Sequence, residues 1–70
     1  MNEHFKKAIS LARAIRDKTG KFVAVEAHYM AYKCGDERLQ YRYHIEDGDS
    51  HSYLTIEEVA ARLGEEMGVG

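Results

Sequence analysis

Between Leu39 and Ile45, large apolar residues alternate strictly with polar ones, the period of a half-buried β-strand. Leu39, Tyr41, Tyr43 and Ile45 share one face; Gln40, Arg42 and His44 share the other. Upstream, Phe22 to Lys33 is rich in β-branched and aromatic residues and reads as a second, longer strand. Its more apolar set is Val23, Val25, Ala27, Tyr29 and Ala31, and its other set is Phe22, Ala24, Glu26, His28, Met30 and Tyr32. Its length exceeds the usual five or six residues, so a bulge or bend is expected within it.

The turns set the register. For Val25 and Tyr29 to share a buried face with Tyr41 and Tyr43, the connecting loop must contain an odd number of residues. A three-residue loop of Gly35, Asp36 and Glu37 meets that condition. It places Tyr29 opposite Tyr43, Ala27 opposite Ile45 and His28 opposite His44. A two-residue Gly35-Asp36 turn would need a bulge to restore the faces. Downstream, Asp47-Gly48 fits the centre of a type I′ hairpin turn, whose two central residues take positive φ. That turn sets His51 opposite His44 and Tyr53 opposite Arg42, and makes Ser50 to Leu54 a short third strand.

Helical periodicity flanks the strands. Phe5, Ala8, Ile9, Leu11, Ala12 and Ile15 form a broad apolar face, opened by Asn2 as N-cap and closed by Gly20. Thr55 to Glu58 reads as a capping box, with Leu54 and Val59 placed as a hydrophobic staple. Ile56, Val59, Ala60, Leu63 and Met67 then form a second apolar stripe. The expected fold is one α+β domain over residues 1–70 in the order α-β-β-β-α. Its three strands form an antiparallel meander, order 1-2-3, with both helices on one face in two layers.

At 70 residues the chain stands near the lower size limit for a single core. Ordering costs about 1.5 kcal/mol per residue, and burial in so small a domain barely exceeds that. The chain's single cysteine, Cys34, cannot form an internal disulfide. Pairing with a second copy is a common way to gain the missing burial, so a homodimer is expected. No apolar run is long enough to span a bilayer, and the charged, helically patterned start does not read as a signal peptide. With a lone thiol, these features point to a cytoplasmic protein.

Net charge is −2, but its sign is unevenly spread. Residues 1–21 hold six Lys or Arg against two acids, and residues 22–70 hold four against ten. The first helix is basic and the remainder acidic, an arrangement in which the two parts attract each other.

With both helices on one side, the other face of the sheet is open. Phe22, Met30, Tyr32, Arg42 and Tyr53 fall there, more apolar as a group than solvation calls for. The expected function is therefore a non-catalytic interaction or accessory module that self-associates, or binds a protein partner, through this face. Two other readings compete. Lys6, Lys7, Arg13, Arg16, Lys18 and Lys21 could touch nucleic-acid phosphates without reading sequence. The element order is similar to that of the double-stranded-RNA-binding domain. That family's basic cluster at the start of its last helix is replaced here by Thr55-Ile56-Glu57-Glu58, which repels phosphate, and its histidine-bearing loop has no counterpart in Asp47-Gly48. Alternatively, His28, His44 and His51 could form a row across the strands, as a zinc site or as a group that repels itself below about pH 6.5. No Gly-rich phosphate loop, nucleophile elbow or His-Glu metal motif is present, so neither an enzyme nor a cofactor is expected.

Overall fold

The computed structural model describes residues 2–48 and 53–68. Helix α1 (Glu3–Thr19) starts where the Asn2 side chain accepts the His4 N–H at 2.7 Å. It ends at Gly20, whose φ of 74° lets its N–H reach back to the Arg16 carbonyl at 2.7 Å. Helix α2 (Ile56–Glu66) is capped by Thr55, whose hydroxyl accepts the Glu58 N–H and donates to the Glu58 carboxylate, each at 3.2 Å.

Strands β1 (Val23–Ala31) and β2 (Glu37–Ile45) pair antiparallel, with Val25 opposite Tyr43, Ala27 opposite Tyr41 and Tyr29 opposite Leu39. The faces agree with the odd-loop argument, but the register differs from the expected one. The loop is Lys33-Cys34-Gly35, closed by the Tyr32 N–H on the Asp36 carbonyl at 2.8 Å. Gly35, at φ 95°, stands last in it rather than first. A three-residue hairpin loop needs its left-handed residue at the end of a type I turn, and here only glycine adopts that conformation without strain. Fixing the glycine there moves every pair: His28 lies opposite Gln40 and His44 opposite Ala24.

The expected three-stranded meander is also corrected. Among the described residues the sheet has two strands, and the fold is α-β-β-α. Leu54 makes one antiparallel bridge to Tyr41, through hydrogen bonds of 2.9 and 2.7 Å. That pairing is in the expected register, in which Tyr53 opposite Arg42 puts Leu54 opposite Tyr41; what is corrected is the extent of the strand, not its alignment. The bridge cannot lengthen toward the C-terminus because Thr55 already turns the chain into α2. Residues 49–52, including His51 and the start of the expected strand, lie outside the described residues. The turn before them is not of type I′. Asp47 has φ 68°, but Gly48 does not take a positive φ, and the Gly48 N–H closes the turn on the Ile45 carbonyl at 2.8 Å.

Both helices pack on the face of the hairpin that carries Val23, Val25, Tyr41, Tyr43 and Ile45. Helix α1 lies against β1, α2 against β2, and the helices against each other. Ala8, Ile15, Tyr43, Ile56, Val59, Ala60 and Leu63 form the buried core. The helices cover only the root of the hairpin. Farther out on the same face Tyr29 is 63% and Leu39 57% exposed. The distal half of the hairpin is thus an arm reaching past the helical layer.

Candidate functional site

Strand alternation sends Ala24, Glu26, His28 and Met30 of β1, and Arg38, Gln40, Arg42 and His44 of β2, to the face away from the helices. Phe22 and Tyr32 stand at the two ends of β1 on that side, and Tyr53 reaches it from beyond β2. Of the residues expected to form a contact surface, Phe22 is 60%, Tyr32 44% and Tyr53 42% exposed, while Met30 and Arg42 are half-buried.

The polar residues of this face are tied together. Glu26 accepts from His28 Nε2 at 3.1 Å, an ion pair only when the imidazole is protonated, and Arg42 Nε stands 4.0 Å from the other Glu26 oxygen. Tyr53 meets the His28 ring edge-on at 5.2 Å between centroids and lies 6.0 Å from the Arg42 guanidinium. Toward the tip, Arg38 lies over the Tyr32 ring at 5.5 Å and pairs with Asp36 at 3.6 Å. Such half-exposed pairs contribute little to stability; their effect is to hold the aromatic rings in place. Arg42 Nε is shielded and has no hydrogen-bond partner among the described residues.

The register separates His28 from His44, and His51 lies outside the described residues, so the expected histidine row is not assembled by the hairpin. Among the described residues no group of three His, Cys, Asp or Glu could hold a metal ion. Lys6, Lys7, Arg13, Arg16, Lys18 and Lys21 are all exposed. They do not gather on one stripe: Arg16 bonds to the neighbouring Asp17 at 3.1 Å, and Arg13 and Arg16 turn toward β1. Cys34 is exposed at the hairpin tip. No helix is long and apolar enough to cross a membrane among the described residues.

Two hollows were not anticipated. A polar one of about 330 Å³ lies between the turn after β2 and the end of α2, bordered by Lys21, Glu46, Asp47 and Glu66. The other, about 230 Å³, is an apolar groove between α1 and β1, lined by Phe5, Ile9, Ala12, Val23 and Val25 together with Arg13 and Arg16. It takes no residue from β2 or α2, so it opens toward the outer edge of β1. The breadth of the apolar face of α1 was the available signal: Phe5, Ile9 and Ala12 extend it beyond what a two-stranded sheet and one helix can cover.

Burial pushes the Tyr43 phenol above its ordinary value near 10, with the acids Glu66 and Glu65 adding to the rise and Arg62 opposing it. Comparison with known protein families, with characterised proteins and with solved structures finds no match to this chain.

Proposed function

We propose that this chain is a small non-catalytic interaction module that self-associates through its hairpin, with Phe22, Met30, Tyr32, Arg42 and Tyr53 on the open face as contact residues. The observation that carries this reading is the set of exposed large side chains on and beside the hairpin: Phe22, Tyr32 and Tyr53 on the open face, with Tyr29 and Leu39 on the uncovered distal part of the other face. A chain of 70 residues that buries seven apolar residues among those described has little to gain by leaving five large ones in water.

Sedimentation velocity over a concentration series tests the reading. A dimer forming at micromolar concentration is expected. A protein that remains monomeric at several hundred micromolar, on the order of a hundred times the expected micromolar dissociation constant, overturns self-association.

A further inference from the structure

The outer edge of β1 pairs with no strand among the described residues. The ladder itself determines which groups stand there. At its two ends the Glu46 N–H bonds to the Phe22 carbonyl and the Tyr32 N–H to the Asp36 carbonyl. Residues at even positions of β1 therefore direct their backbone groups to β2. Val23, Val25, Ala27, Tyr29 and Ala31 direct theirs outward. Above this edge, on the helix side, lies the apolar groove between α1 and β1.

We infer that β1 pairs with β1 of a second copy, antiparallel about a two-fold axis at Ala27, so that Tyr29 of each copy fills the groove of the other. The inference rests on the self-association proposed above and assigns it to the strand edge. Three features select this partner and this register.

First, outward-facing groups must meet outward-facing groups, and an axis at Ala27 pairs all five such residues of each strand with those of the other. Second, this axis sets Glu26 opposite His28 of the second copy. An axis at Glu26 would instead set two carboxylates against each other, and an axis at Val25 or Tyr29 would shorten the paired run. On the open face Phe22 comes opposite Tyr32 of the second copy, which covers two of the exposed rings. Third, Val25 comes opposite Tyr29 of the second copy on the helix side, where the groove lies. The Tyr29 hydroxyl donates to Glu37 of β2, so in the pair the exposed Tyr29 ring turns from that carboxylate across the seam, toward Arg13 and Arg16 of the second copy.

The helices do not obstruct the arrangement. In each copy α1 covers the Val23–Val25 half of β1 and leaves Ala27, Tyr29 and Ala31 exposed. With the axis at Ala27, the bare half of one strand lies beside the covered half of the other, and the two α1 helices are offset along the sheet.

The test compares three variants of the full chain by sedimentation. Ala27→Pro removes an outward N–H and no bond between β1 and β2, and proline is tolerated on an edge strand in that orientation. Tyr29→Lys changes an exposed residue that the monomer does not need. Tyr53→Ser alters the open face far from the seam. The expected result is that Ala27→Pro abolishes dimerisation and Tyr29→Lys weakens it at least tenfold, whereas Tyr53→Ser, at an open-face contact away from the seam, weakens it less than either. Should Ala27→Pro fail to fold, Tyr29→Lys decides. A spin label on Cys34 of the wild-type chain adds a geometric readout. Seven residues on each side of the axis, at about 3.3 Å each, put the two labels roughly 45 Å apart. A dimer that survives Tyr29→Lys but is lost in Tyr53→Ser overturns the edge pairing and leaves open-face association standing. A monomer throughout overturns both.

Discussion

Leu63→Ala is the substitution on which the described packing can be judged most directly. Leu63 is fully buried, and the seven-residue core includes two alanines, so it supplies a large share of the apolar volume between α2 and the hairpin. Truncation removes three carbon groups at about 0.8 kcal/mol each, or about 2.4 kcal/mol of transfer free energy. The space left behind raises the cost to about 3–4 kcal/mol, within the range for buried leucines. At roughly 0.05–0.15 kcal/mol per residue, a domain this size has only about 4–10 kcal/mol in all. Urea unfolding followed by far-UV circular dichroism, at a concentration where the protein is monomeric, reads the loss. With a slope of about 1 kcal/mol/M, the midpoint falls by about 3 M, which for a marginal domain means a largely unfolded variant. Leu39→Ala is the matched control, the same chemistry at a site 57% exposed, and is expected to shift stability by about 0.5 kcal/mol or less. Equal losses in the two variants, or a loss under about 1 kcal/mol in Leu63→Ala, would refute the placement of α2 on the hairpin.

Three further outcomes follow from the geometry. Thr55→Ala removes the hydroxyl that caps α2 and is expected to cost about 1 kcal/mol, seen as a melting temperature lower by about 4–8 °C; Thr55→Ser retains most of the stability. Gly35→Ala meets no atom within 4 Å, so its cost, about 1–2 kcal/mol by thermal unfolding, arises from the positive φ alone. Because Tyr43 ionises above its ordinary value near 10 when folded, the stabilising contribution is intact below that pH and is lost as pH rises through the folded value. Denaturation across the alkaline range should therefore show a steeper fall for the wild type than for Tyr43→Phe; identical slopes would contradict the burial of that phenol.

The helices could be read from the sequence because their signals are local. Asn2, Gly20 and Thr55 mark ends through their own side chains or backbone freedom, and the apolar spacing between them needs no knowledge of the rest of the chain. Strand faces were legible for the same reason, since alternation is a property of one segment. Register was not, because it depends on where in the loop Gly35 stands, and parity permits several positions that differ by two residues. Of the third strand expected at Ser50 to Leu54, the described residues keep only the Leu54 bridge to Tyr41; residues 49–52 lie outside them, and Thr55 opens α2 where the sequence placed its cap. The groove escaped notice because it is a surplus, visible only once the hairpin is seen to be narrower than the apolar face of α1. The displaced register also removed the histidine row, whose alignment depended on two turns being placed correctly.

In the proposed pairing of hairpins, the small bridge between Tyr41 and Leu54 sets where assembly would stop. A bare strand border with no proline anywhere in the chain is a template on which copies could add without limit. Here the opposite border of the hairpin is already occupied at its middle by Leu54. Joining two hairpins back to back uses up both bare borders and leaves only blocked ones outside, so growth halts at a closed pair instead of running on into a filament.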